Sequence, residues 1–304
     1  MDARLLETLR AVHERGGVTA AAAALHVTPS AVSQQVRVLQ REVGAILLER
    51  VGRGVRLTPA GEALAGAALD VAVALERARA AVDAHREHPT GTVRVSAFQS
   101  AAQMLFPGLL TRVARLDGIE LVCSDEDVAQ AEFGALTADV DIVVAHRPDG
   151  AGPWGSGLRV EPLLREPLDV ALWPGHPLAG RATLHPADLV GQPWIAVREG
   201  FPVATVLTEL GERAGEVPRV VQRINDFHVV EALVGAGHGI SLLPRYTTDD
   251  GGGARLRLVP LAGVRAGRRI DALLRPDRAE RLVVRRVLDE LRAQARAIGR
   301  AAAT

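Results

Sequence analysis

The chain has 304 residues, enough for two or three domains with a core each. Its 36 basic and 36 acidic residues cancel, which excludes a polycationic nucleic-acid coat, and one cysteine excludes an internal disulfide. All the basic residues are arginine, and with the heavy Ala, Gly and Val usage this is the composition of a GC-rich bacterial gene. No basic-then-apolar leader opens the chain and no run approaches about 20 apolar residues, so a soluble cytoplasmic protein with no membrane partner is expected. Cys123 ends the apolar run Ile119–Cys123 and is expected to be a buried structural thiol.

Residues 2–14 place Leu5, Leu6, Leu9 and Val12 at helical spacing, and Gly16-Gly17 ends that helix. Thr19–Leu25 reads as a short Ala-rich helix whose small side chains let neighbours approach closely. Thr28 then suits an N-cap and Pro29 the first helical position, where a missing N–H costs nothing. This helix runs to about Val43 and stops at Gly44. At about 100° per residue, Val32, Val36, Leu39 and Val43 share one narrow stripe. Ser30, Gln34, Arg37 and Arg41 fall opposite, with Ser33 on the flank. A merely solvated face would usually carry Glu and Lys. Short polar residues followed by arginines suit base edges and phosphates instead, so double-stranded DNA is the expected partner. Residues 1–60 hold eight arginines against five carboxylates, an excess that ordinary surface charge would also give.

Two short extended runs from Leu47 to Thr58 flank a Gly-Arg-Gly tip, a β-hairpin wing whose Arg53 can reach a minor groove or a phosphate. Thr58-Pro59-Ala60-Gly61-Glu62 opens a long helix with an offset capping-box pattern. Along it, Leu64, Ala68, Val71, Leu75, Ala78 and Val82 form a small-residue heptad seam, which predicts pairing with a second copy. The helix should end near His88-Pro89-Thr90-Gly91.

From residue 92 the pattern alternates strand and helix. Strands are expected at 92–97, 119–123, 141–145, 168–172, 194–197, 217–223, 240–243 and 270–274. Helices are expected at 101–116, 128–136, 203–214, 227–235 and about 277–298. Such alternation predicts parallel sheets in two lobes, with hinges near 163–167 and 264–269. The nine histidines show no metal-ligand spacing, and no nucleophile elbow or phosphate loop is present. Gly235-Ala236-Gly237-His238-Gly239 follows a helix and precedes a strand, the reverse of a dinucleotide-binding turn. No catalytic residue, metal or cofactor is expected, and the chain is not read as an enzyme.

Taken together, these segments resemble the LysR-type transcriptional regulators over essentially the whole chain. Ala20-Ala21 to Leu25, then Val27-Thr28-Pro29-Ser30-Ala31-Val32-Ser33-Gln34-Gln35-Val36 and Leu39, match the family's helix-turn-helix core. Leu47-Leu48-Glu49-Arg50 with Leu57-Thr58-Pro59-Ala60-Gly61, Gly91-Thr92-Val93-Arg94-Val95, and residues 232–244 match later segments of it. The resemblance implies an α/β protein. An N-terminal winged helix-turn-helix plus linker helix comes first, then a two-lobed periplasmic-binding-protein-like α/β sensor domain. The expected divisions are 1–58, 59–88 and 91–304, with lobe I at about 91–164 and 268–304 and lobe II at about 165–267. It further implies a homodimer or homotetramer that binds promoter DNA under the control of a small-molecule effector held between the lobes.

Carried over residue by residue, Thr28, Pro29, Ser30, Ser33, Gln34 and Arg37 face DNA from the recognition helix, and Arg53 from the wing. The effector wall would include Ser100, Asp127, Val128, His146, Arg198, Phe201 and Phe227. Ser100 either contacts a ligand or caps its helix, and His146 is either a ligand contact or a solvent-facing loop residue. Glu126, Asp127 and Arg198 would suit a mixed polar ligand such as an amino acid, or would pair with one another. Two rival readings are a solute-binding protein and an architectural DNA binder with a degenerate sensor.

Overall fold

The computed structural model describes residues 1–52, 54–85 and 89–301. The chain divides into two compact units. The first comprises Met1–Thr90, Ser156–Arg159 and Leu274–Arg285; the second comprises Gly91–Gly155, Val160–Leu273 and Arg286–Thr304.

In the first unit, α1 (Ala3–Arg15), α2 (Val18–Ala24) and α3 (Pro29–Val43) precede a hairpin of β1 (Leu48–Val51) and β2 (Gly54–Leu57) and the long α4 (Pro59–Asp83). The Thr28 hydroxyl accepts from the Ala31 N–H at 3.2 Å and starts α3. Gly44 ends it at φ 68°, a left-handed conformation that glycine adopts without a Cβ clash. The tight turn between α2 and α3 places His26 at φ 54°. Leu9, Val12, Ala21, Ala22, Val32, Val36, Leu39 and Leu47 form the core. Gln40 Oε1 accepts from the Leu47 and Leu48 N–H groups at 2.8 and 3.2 Å, tying the hairpin to α3. Thr58 caps α4 through the Gly61 N–H at 3.1 Å. A Cβ on Gly61 would lie 2.2 Å from the Leu47 carbonyl oxygen, so the helix can start against the hairpin only with glycine there.

Of the heptad seam, Ala68 is buried, but Val71, Leu75 and Val82 are 40%, 45% and 62% exposed. The C-terminal half of the stripe is therefore uncovered by this chain. Within the same unit, Arg10 of α1 donates to Asp277 at 3.0 Å, and Arg275 donates to Glu14 at 3.0 Å and again to Asp277. Burial alone would raise the Asp277 carboxyl; the bonds and charges of Arg275 and Arg10 outweigh it and hold the group at about 2.

The second unit carries β3 (Gly91–Ala97), α5 (Gln99–Val113), β4 (Ile119–Asp125), α6 (Phe133–Leu136), β5 (Ile142–Pro148), β6 (Arg159–Leu172) and β7 (Pro193–Ala196). It continues through α7 (Pro202–Ala214), β8 (Arg219–Arg223), α8 (Phe227–Gly235), β9 (Ser241–Pro244), β10 (Arg257–Val259), β11 (Gly267–Leu274, up to Leu273) and α9 (Leu282–Ala301, from Arg286). The sheet order is β10-β6-β11-β5-β3-β4, with β9 also on β6, while β7 and β8 form a separate pair. Val93, Val95, Leu105, Ile142 and Ile270 are buried, and Leu168, Val170, Trp194, Val206 and Ile240 form a hydrophobic core. No helix among the described residues is long and apolar enough to cross a membrane.

Several expectations change. The sheets are mixed rather than parallel. β3 runs parallel to β4 and β5, and β7 to β8, but β11 is antiparallel to β5, and β9 and β10 are antiparallel to β6. Helical crossovers give the parallel pairs, whereas the antiparallel pairs need none. Residues 163–167, expected as a hinge, lie inside the continuous β6. The helix expected over 128–136 shrinks to a 3-10 turn at Gln130–Glu132 and the short α6, because Glu132 accepts from the Ala129 N–H and starts the turn there. The last helix begins at Leu282, after a 3-10 turn at Arg278–Glu280. Cys123 lies on β4 and is only half-buried, with burial pushing its thiol up.

Candidate functional site

Two surfaces concentrate polar groups, one turned outward on a helix and one gathered in a cleft. The first is the outer face of α3. Its apolar stripe is buried, with Val32, Val36 and Leu39 at 2% exposure or less. Ser30, Gln34 and Arg37 therefore face outward, and with Arg41 they line one open groove that ends at the exposed Ile46. Arg37 and Arg41 form no ion pair among the described residues. Thr28 and Pro29 are exposed at the start of the helix, where the Thr28 and Ser30 hydroxyls share a 2.9 Å hydrogen bond. Ser33 is half-buried on the flank and outside the groove. Gln35, similar in sequence context to Gln34, is spent internally, accepting from the Thr8 hydroxyl at 2.7 Å. Arg53 lies outside the described residues.

The second surface is the cleft in the second unit. α5 starts at Gln99 with Phe98 as N-cap, and Phe98 gives no side-chain cap. Ser100 therefore sits inside the first turn and does not cap the helix; its hydroxyl accepts from Arg268 Nη2 at 2.7 Å. Arg268 donates through both Nε and Nη2 to Glu166 Oε2, at 2.9 and 2.6 Å. The other carboxylate oxygen of Glu166 accepts from the Tyr246 N–H at 3.2 Å. Arg268 is 1% exposed and Glu166 not at all. The guanidinium carbon lies 4.8 Å from the Phe98 ring centre and 5.8 Å from that of Phe227.

His146 does not face solvent. It is buried on β5, stacked on Phe98 with centroids 4.0 Å apart and edge-on to Phe133. Burial first, and the Arg268 charge second, hold its imidazole well below the ordinary range, so it is neutral. Its Nδ1 has no hydrogen-bond partner among the described residues. Phe201, Phe227 and Asn225 complete the far wall. The cavity left between these groups is about 20 Å³, room for one water molecule.

The structure thus brings Ser100, Asp127, His146, Phe201 and Phe227 to one cavity. It corrects two expected wall residues. Val128 is half-buried in the loop before the 3-10 turn and lines nothing, because the helix expected to present it begins later. Arg198 stands at the rim, 62% exposed, 3.6 Å from Asp127 and 5.3 Å from the Phe201 ring centre. Asp127 also accepts from Asn225 at 3.1 Å. Of the charges expected to hold a zwitterion, Asp127 and Arg198 are paired with each other. The sequence reading missed Arg268 and Glu166. Their signal was there: Arg268 leads the alternation Ile270, Ala272 and Leu274, and Glu166 leads Leu168, Val170 and Leu172, so each charge occupies an inward strand position. Among the described residues no cluster of three or more His, Cys, Asp or Glu could hold a metal.

Comparison with known proteins now decides the lineage. Residues 3–62 match the family model for the bacterial regulatory helix-turn-helix protein of the lysR family, and residues 86–296 match the LysR substrate binding domain. The chain belongs to the LysR family. The transcriptional regulator ShiR of Corynebacterium glutamicum is 30% identical over 250 residues, 80% of this chain and 82% of ShiR. A full-length OxyR variant from Pseudomonas aeruginosa superposes with a TM-score of 0.69 at 20% identity, covering 97% of this chain and 98% of its own. Full-length CbnR in complex with its target DNA superposes with a TM-score of 0.52 at 23% identity, covering 97% and 100%. The LysR-family protein is accordingly a DNA-binding transcriptional regulator with an effector-binding domain, which sets aside the reading as a solute-binding protein.

Proposed function

We propose that this LysR-family protein reads promoter DNA with the outward face of α3, Gln34 and Arg37 contacting base edges and Thr28, Pro29, Ser30 and Ser33 closing on the backbone and flanks. The wing would add Arg53. Gln and Arg suit the base-reading role because each can make paired hydrogen bonds to a base edge. The observation that carries this is the groove itself: Ser30, Gln34 and Arg37 point outward together from a helix whose opposite face is buried. The organisation follows as a reader at 1–58, a linker helix at 59–88 and a sensor at 91–304. The uncovered stripe of α4 is the natural place for a second copy, and two readers joined there suit a two-part, roughly symmetric site. The protein acts in the cytoplasm and without catalysis. The cleft around Ser100, Asp127, His146, Phe201 and Phe227 is the effector site, with Arg198 at its rim. CbnR, solved on its target DNA, supports the same mode of action.

Arg37→Ala tests the reader. Loss of one paired base contact costs roughly 1–3 kcal/mol of discrimination, about 5- to 150-fold in affinity for the specific site. Footprinting on the DNA beside its own gene should show that loss, with helix content and oligomeric state unchanged by circular dichroism and light scattering. Unchanged affinity for the same promoter would remove α3 from the interface.

A further inference from the structure

Arg268 has the surroundings of a bound ligand. Its guanidinium is 1% exposed, forked onto one carboxylate oxygen of Glu166, bonded to Ser100 and flanked by the Phe98 and Phe227 rings. The two walls of the cleft both contribute: Phe98 and Ser100 come from the β3–α5 segment, Phe227 from the start of α8. We propose that the cleft is a guanidinium site which the chain fills with its own Arg268. This rests on the reading of the cleft as the effector site and specifies how that site is controlled.

The residual cavity of about 20 Å³ admits a water but no metabolite. A compound entering without displacing Arg268 must therefore part the walls. A compound that replaces Arg268 must bring its own cation, because Glu166 has no exposure and an unpaired buried carboxylate is strongly unfavourable. That cation must be flat, to lie against the two rings, and must present two N–H groups on one edge. A guanidinium or amidinium meets these terms and an ammonium does not. His146 adds no competing charge, since it is neutral, and its Nδ1 stands as an unused hydrogen-bonding position in the same wall.

The experiment truncates the plug and supplies it in trans. Arg268→Ala removes what N-ethylguanidinium contains. Titrating that compound into the full-length variant should give a saturable rise in melting temperature, roughly 5–10 °C at about a hundred times Kd. Wild type, with its site filled, and the Arg268→Ala/Glu166→Gln double variant, lacking the counter-charge, should show no saturable rise. Absence of the rise in Arg268→Ala, or an equal rise in all three proteins, overturns the proposal. Should Arg268→Ala not fold alone, refolding with N-ethylguanidinium replaces the melt; recovery of folded protein supports the site and no recovery overturns it. The compound should also return the variant's promoter footprint to the wild-type pattern. A variant footprint identical to wild type with and without it would reduce Arg268 to an ordinary buried ion pair. A wild-type protein that protects no DNA would count against the DNA reading, leaving the melt to judge the cleft.

Discussion

The outer face of α3 and the cleft both depend on arginine, yet they use it in opposite ways. On α3, Arg37 is exposed and forms no ion pair among the described residues, so its hydrogen-bonding capacity remains available to a partner. In the cleft, Arg268 is buried, hydrogen-bonded to Glu166 and Ser100, and set beside two aromatic rings. A solvated arginine costs the fold little to keep or remove. A buried one is integral to the fold, because its removal leaves a carboxylate with neither water nor a counter-charge. The contrast separates an arginine left open to solvent from one already committed to the interior.

The largest effect that would break this contrast is Glu166→Gln, which strands the Arg268 charge. Breaking a buried pair typically costs 3–5 kcal/mol, so the urea midpoint should fall steeply, whereas Arg37→Ala should change stability by less than about 0.5 kcal/mol. A midpoint unmoved by Glu166→Gln would mean the cleft is as solvated as α3. A smaller effect comes from Asp277, the acid gripped by Arg10 and Arg275. Its folded value of about 2 lies below the ordinary 3.8, so its stabilisation is present above pH 3.8 and is lost as the pH falls towards 2. The linkage amounts to about 2 kcal/mol, and Asp277→Asn should flatten that limb of the stability curve. A further pH limb belongs to His146. The unfolded imidazole takes up a proton below its ordinary 6.5 while the buried one does not, so stability should decline as the pH drops below about 6.5. Replacing His146 with Phe, which keeps the stack on Phe98, should remove that decline; a decline of the same size in the variant would assign it to another group.

The two regions were also unequally legible before the structure. The polar face of α3 was readable because residues three and four apart share a helix face, and the Thr28-Pro29 start and Gly44 stop fix the helix locally. Even so, Gln35 could not be told from Gln34 until Thr8 of α1 was seen against it. In the cleft, Ser100, Asp127, His146, Phe201 and Phe227 were found as strand ends and helix starts, but the helix expected at 128–136 is mostly loop, and Val128 fell away with it. His146 was undecided between a loop and a wall because β5 buries it against Phe98 and Phe133, residues distant along the chain.

By itself, then, the sequence determined the first helices, the outward residues of α3, the hairpin and the seam of α4, all of which follow from capping and periodicity within about fifteen residues. Tertiary structure alone decided what Arg268 meets. Arg268 meets Glu166 across 102 residues and Ser100 across 168, on strands whose pairing is set by the whole sheet. No local pattern encodes such a meeting, because the partners are chosen by the register of β6 and β11 and by the burial that leaves a charge no other place to go.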